Sequence, residues 1–290
     1  MEILFLGTAA AEGTPAVFCD CKMCRYAREK GGKEIRSRSG ALIDGKLKLD
    51  FCPDSYMQML KYGLDFSGIR SILIGHTHPD HFYYQDIQRC APPDAHPKAD
   101  AKPLTVYGNE RVGELLAPYL VKNKHLAFQR MIPFETVEIE GYQVTALEAV
   151  HTAGGEEEKY PVVHDGKTCF RTEEALFYLI EKDGKCILYA HDTDEFTPAD
   201  YAFLAGKKID LVSMDCTNGH LELDYIGHMG VRENKQVREM LLANGAADAH
   251  TVFVANHYSH NGLLPYEELQ ALHPDFLISF DGMKLFTPEK

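Results

Sequence analysis

Apolar residues in this chain gather in short runs separated by glycine, proline and charged residues. Runs at residues 2–6, 71–75, 104–108, 144–150, 186–190, 209–215 and 251–256 predict strands, because they are too short for core helices and are rich in Val, Ile, Leu and Phe. Residues 40–44 and 46–51 predict two more, joined through Gly45, and 135–139 begins a meander ending at His151. Residues 174–181 and 185–189 predict a hairpin through Asp183-Gly184. Helical spacing predicts helices at 22–30, stopped by Gly31-Gly32, and at 53–62, with Pro53 in the first turn. Further helices are predicted from His81 toward Arg89, from the cap Asn109 to Leu120, and at 198–205 and 231–242. Residues 91–103, rich in Pro, Ala and Asp, predict a surface loop.

Several runs end on a residue that can hold a metal. Residues 71–75 lead into His76-Thr77-His78-Pro79-Asp80-His81, residues 144–150 into His151, and 186–190 into His191-Asp192. Residues 251–256 lead into His257. Imidazole nitrogens mixed with a carboxylate suit zinc, manganese or iron rather than calcium. His76 and His78, one residue apart, can converge on one ion, while Asp80 and His81 beyond the proline turn toward another position, so the motif suggests two metals.

The motif H-x-H-x-D-H, followed in order by His151, Asp192 and His257, resembles the metallo-β-lactamase superfamily. The resemblance implies an α/β fold, a four-layer helix-sheet-sheet-helix sandwich formed as a single domain over residues 1–290. It assigns His76, His78 and His151 to one active-site cation, Asp80, His81 and His257 to the other, and Asp192 to both. Asp80 is also counted among the catalytic residues. Asp50, ending its strand, is implied to orient a metal-bound histidine. A water shared by two zinc, manganese or iron ions would be the nucleophile.

Near the N-terminus Cys19-Asp20-Cys21-Lys22-Met23-Cys24 offers three thiolates, and a closed zinc site needs a fourth ligand. His260, three residues after His257, is the candidate. This pairing of C-x-C-x-x-C with H-x-x-H is similar to the branch containing phosphoribosyl 1,2-cyclic phosphate phosphodiesterases. In that branch the second histidine completes a structural zinc site. The likeness implies a metal-dependent phosphodiesterase for a small, including cyclic, phosphodiester, with His228 as general acid or base near the metals. The plain alternative for His228 is an exposed loop histidine. A carboxyl-ester, lactone or thioester hydrolase on the same site is the second enzyme reading, and a zinc-stabilised accessory protein without turnover is the reading from another class.

A net charge of −13 argues against nucleic acid and anionic membranes, yet two cations could still hold a small anionic substrate. No apolar run is long enough to span a bilayer, and the first residues read as a strand rather than a leader, so a cytoplasmic protein is expected. Oligomeric state is not legible, and a homodimer is left open. Cys52, Cys90, Cys169, Cys186 and Cys216 are expected in the core. Arg36 and Arg38 could meet a substrate phosphate or line a solvated strand edge. Phe82, Tyr83 and Tyr84 could narrow the mouth of the site or form the apolar face of a helix. Residues 154–169, beginning with an acidic run, could be a lid or a solvated hairpin.

Overall fold

In the computed structural model, which describes residues 1–151, 160–164, 167–171, 173–223 and 227–289 (backbone alone for 160–164 and 167–171), the apolar runs become strands of two sheets. The first half supplies β1 (Glu2–Gly7), β2 (Gly40–Ile43), β3 (Leu47–Leu49), β4 (Ser71–Leu73), β5 (Leu104–Gly108) and β6 (Leu126–Arg130). Helices α1 (Lys22–Lys30), α2 (Ser55–Lys61), α3 (Tyr84–Ile87) and α4 (Glu110–Leu120) lie between them. The second half supplies β7 (Thr136–Ile139), β8 (Tyr142–Glu148), β9 (Tyr160–His164), β10 (Lys167–Arg171), β11 (Leu176–Lys182), β12 (Lys185–Ala190), β13 (Leu211–Asp215), β14 (Val252–Asn256) and β15 (Leu277–Ile278). With them come α5 (Pro198–Leu204), α6 (Val231–Ala243) and α7 (Tyr266–Leu272), and β16 (Lys284–Phe286) ends the described fold.

One sheet has the order β16-β1-β2-β3-β4-β5-β6 and the other β15-β14-β13-β12-β11-β8-β7. The last strand therefore returns to the first sheet and pairs antiparallel with β1. Strands β9 and β10 form a separate antiparallel pair.

Side-chain alternation explains why the sheets stack. Ile3, Phe5, Ile43, Leu47, Leu49 and Leu73 face Val144, Ala146, Leu176, Tyr178, Ile187 and Val254 in one shared core. The opposite face of the first sheet, with Leu4, Leu6, Leu42, Ile72 and Val106, packs on Ile87 of α3 and on Val112 and Leu116 of α4. The outer face of the second, with Leu147, Phe177, Leu188, Val212 and Phe253, packs on Leu204, Val237, Leu241 and Leu269 from α5, α6 and α7. These are the four expected layers, and both faces of the central strands are buried, which accounts for their unbroken apolar runs. No helix among the described residues is long and apolar enough to cross a membrane.

Local departures have local causes. The helix expected from Pro53 starts at Ser55, and the one expected to reach Arg89 shrinks to the single turn of α3. Phe82 is 2% exposed and stacks toward Tyr84, which in turn meets Tyr119, so these aromatics serve the helix layer. Cys52, Cys186 and Cys216 are buried as expected, whereas Cys90 is half-buried. The side chain of Cys169 and the acidic run expected to be a lid or hairpin lie outside the described residues. Arg36 corrects both readings made for it: its guanidinium is 2% exposed, stacks on Tyr258 and donates to Thr8 Oγ1 and to the carbonyl of Ser279. Arg38 pairs with Asp54 at 3.1 Å.

Candidate metal centre and active site

Parallel strands carry their following loops to one edge of each sheet, where ligands bind in open α/β folds. Strands β3, β4 and β5 run parallel in the first sheet and β12, β13 and β14 in the second. Asp50 follows β3, His76 follows β4, Asp192 follows β12, Asp215 ends β13, and His257 follows β14. Two contacts lock the edges together: the N–H of Leu176 donates to the carbonyl of Gly75 at 2.9 Å, and Tyr178 Oη donates to Ile74 at 2.6 Å. A Cβ on Gly75 would sit 2.9 Å from the carbonyl oxygen of Leu176, so this approach requires glycine. Asp50, Asp192 and His257 adopt left-handed backbone conformations, with φ of 52°, 47° and 60°. Such conformations cost energy for residues with a Cβ and aim the side chains back across the edge.

The expected residues come together. Nitrogens of His76, His78 and His151 lie within 4.8 Å of one another, as do ligand atoms of Asp80, His81, Asp192 and His257. His76 Nε2 is 3.6 Å from Asp192 Oδ2, and His81 Nε2 contacts the same oxygen, so Asp192 stands between the two sets. His81 Nδ1 donates to Asp50 Oδ2 at 2.8 Å, while Asp50 Oδ1 accepts from the N–H of Gly75. His151 Nδ1 donates to the carbonyl of Gly227 at 3.0 Å, and His257 Nδ1 lies 2.8 Å from Thr217 Oγ1. These bonds fix the tautomers and ring planes of the three histidines.

The donors fit cations. His76 Nε2 is buried with no hydrogen-bond partner among the described residues, an orphan that would cost about 1–3 kcal/mol and that a cation would satisfy. Burial holds the His76 imidazolium well below its ordinary pKa and takes His151 down to about 4, so both rings are neutral and offer lone pairs. Asp192 is held well below the usual carboxylate range: burial opposes ionisation, but His257 and His81 outweigh it.

His228 is not the exposed loop histidine that was the plain alternative. Its side chain is 17% exposed and its Nδ1 lies 2.9 Å from Asp215 Oδ2 and 3.4 Å from Asp192 Oδ1. Burial alone would discharge this ring, but Asp215 and then Asp192 raise its pKa to about 9. Asp215 also accepts from the N–H groups of Asp192, Thr217 and Met229. It thereby ties β12, β13 and the loop bearing His228 into one unit.

Asp215 and Glu173 escaped the sequence reading. Glu173, 3% exposed, accepts from the N–H and hydroxyl of Thr77 and from Asn109 Nδ2, which pins the His76–His78 turn to the second sheet. Asp215 carried a signal, an acid closing an apolar run as Asp192 does; Glu173 carried none.

The thiol set also assembles. Cys19, Cys21, Cys24 and His260 have ligand atoms within 4.8 Å of one another, with His260 Nδ1 3.4 Å from Cys21 Sγ and 3.9 Å from Cys19 Sγ. Backbone N–H groups of Cys21, Cys24 and Ala16 donate to Cys19, Cys21 and Cys24 sulfurs respectively, which stabilises negative sulfur. Ala9 and Ala10 run beside Tyr258 and bring this N-terminal loop to His260.

Between the clusters opens a cavity of about 430 Å³, lined by His78, Asp80, His151, Asp192, His228 and His257 and, on its other wall, by Glu12, Ser259 and Asn261.

The family described as the beta-lactamase superfamily domain matches residues 49–257. The chain belongs to that family. The matched residues contain both imidazole-carboxylate sets but neither the three thiols nor His260. Among solved structures, a diphosphatase of the PhnP family is 22% identical with a TM-score of 0.70, over 98% of this chain and 97% of that one. Zinc-bound PqqB from Methylobacterium extorquens is 18% identical with a TM-score of 0.69, over 99% and 100%. Both are likenesses of fold. Among curated proteins, an octanoyltransferase of Porphyromonas gingivalis is 30% identical over 83 residues, 28% of this chain, but the match spans only 16% of that protein.

Proposed function

We propose that the chain is a metal-dependent hydrolase of small phosphodiesters, cyclic ones included. The observation that carries this reading is His228, seated on Asp215 and against Asp192 beside two metal-ligand sets between which that aspartate stands. His76, His78 and His151 would hold one divalent cation, Asp80, His81 and His257 the other, and Asp192 both. When bound, such a pair supplies a water acidified toward neutral pH and neutralises charge growing on a phosphoryl oxygen.

The protein's own groups do the rest. Asp215 holds His228 Nδ1, and Nε2 is the nitrogen that would deliver a proton to the departing ester oxygen. Asp50 and Gly227 hold the rings of His81 and His151, and Glu173 holds the turn that presents His76 and His78. Among the described residues lining the cavity none is a lysine or arginine, and Glu12 adds a carboxylate to its wall, which favours a substrate with a single charge at phosphorus over a polyanion. The likeness to a PhnP-family diphosphatase points to phosphorus chemistry as well. A third, structural zinc on Cys19, Cys21, Cys24 and His260 belongs to the same reading. A reducing cytoplasm, which keeps thiols available to that zinc, belongs to the reading too.

The test is a panel of cyclic phosphodiesters, linear phosphodiesters, lactones and thioesters, assayed with added Mn²⁺ or Zn²⁺. Turnover concentrated on the phosphodiesters is expected; strong turnover of the carbonyl substrates alone would replace this reading by the lactone or thioester one.

A further inference from the structure

Lys48 is a fully buried cation in an apolar row. Its neighbours in register on β2 and β4 are Leu42 and Ile72, both in the helix-facing core, where a leucine would fill the row without desolvating a charge. The ammonium is used elsewhere: Nζ donates to the carbonyl of Leu49 at 3.1 Å and to the carbonyl of Asp50. It has room because residue 40 is glycine, since a Cβ there would stand 2.9 Å from Nζ.

Those carbonyls sit where β3 ends and the chain turns left-handed at Asp50. At the turn and directly beyond it the chain grips the metal motif twice, once by a side chain and once by backbone. The Asp50 carboxylate holds the His81 ring, and the N–H of Phe51 donates to the carbonyl of His81 at 2.7 Å. A third bond, from the N–H of Tyr83 to the carbonyl of Phe51 at 2.7 Å, closes the clamp. The turn is strained, and Lys48 is the side chain that fixes its carbonyls.

We propose that Lys48 is a positioning residue for the cation held by Asp80, His81 and His257, and that it acts through Asp50. The proposal rests on the two-cation reading of the site.

The test measures stepwise Zn²⁺ affinities of the full-length protein by competition with a chromophoric chelator, alongside thermal unfolding of the metal-free chain. Lys48→Met should weaken one of the two cavity affinities by roughly three- to tenfold, less than the ~10- to 100-fold typical of losing a direct orienting partner such as Asp50. The other cavity ion and the thiol-bound ion should be unaffected. In an Asp50→Ala background Lys48→Met should add less than about twofold, because the two residues share one route. Gly40→Ala, which displaces only the flexible end of Lys48, should weaken the same ion and serves if Lys48→Met does not fold. Unchanged affinity in a folded variant, equal loss at all ions, or full additivity with Asp50→Ala would overturn the proposal. A wild-type protein holding fewer than two cavity cations would instead overturn the two-cation reading, and shows itself before any variant is made.

Discussion

His228 Nδ1 lies 2.9 Å from Asp215 Oδ2, Asp215 closing the apolar run of β13 and His228 standing in the loop that leads into α6. The contact gives the ring one orientation. Asp215→Asn preserves size but offers Nδ1 an amide in place of a carboxylate, so hydrolysis of an alkyl phosphodiester should fall roughly tenfold to a hundredfold. Cation content, measured by elemental analysis, should stay at the wild-type value. Loss of a cation together with activity would make Asp215 a ligand instead.

Cys21→Ser should remove one zinc per chain and lower the unfolding temperature, because binding energy of a closed zinc site is folding energy. The cavity ions should remain, since the thiol set shares no ligand with the two cavity sets. Elemental analysis beside a thermal melt checks this; full zinc content at unchanged stability would contradict it.

Asp192 and Asp50 separate a shared ligand from a residue that orients one. Asp192→Ala should lose both cavity ions or bind them weakly, as it removes the carboxylate lying between both sets. Asp50→Ala should cost about ten- to a hundredfold in affinity or activity. Titration of the two variants with Zn²⁺ should rank them in that order.

His273 supplies a pH dependence away from the cavity. The ring is fully buried, neither nitrogen has a hydrogen-bond partner among the described residues, and burial, aided by Lys235, takes its pKa down to about 3. Below the ordinary histidine pKa the unfolded chain binds a proton that the folded chain refuses, so stability is lost as pH falls from about 6.5 toward 3. By pH 4 the loss is on the order of 3 kcal/mol. His273→Leu should match or exceed wild-type stability at pH 7 and lose less of it at pH 4 to 5, as read from urea midpoints. Identical acid sensitivity would show that His273 is protonated in the folded protein.

Much of this was legible because the chemistry sits at the ends of apolar runs. The runs before His76, His151, Asp192 and His257 are buried on both faces, so they read clearly as strands, and the residues after them fall at one edge. What was not legible depends on partners far away in the chain. Glu173 meets Thr77 across 96 positions, and β16 closes the first sheet against β1 at the opposite end of the sequence. Arg36 misled because a guanidinium beside serines looks solvated, whereas the Tyr258 ring and the Ser279 carbonyl enclose it.

The most direct measurement compares His228→Ala on two substrates, an alkyl phosphodiester and bis(p-nitrophenyl) phosphate, at verified wild-type cation content. An alkoxide leaves poorly without a proton, so the alkyl ester should slow by roughly a hundredfold to ten-thousandfold. A nitrophenolate needs no such help, and the variant should keep most of its activity on that ester. Equal loss on both substrates would contradict the account, leaving His228 as a residue that positions substrate rather than one that protonates the leaving oxygen.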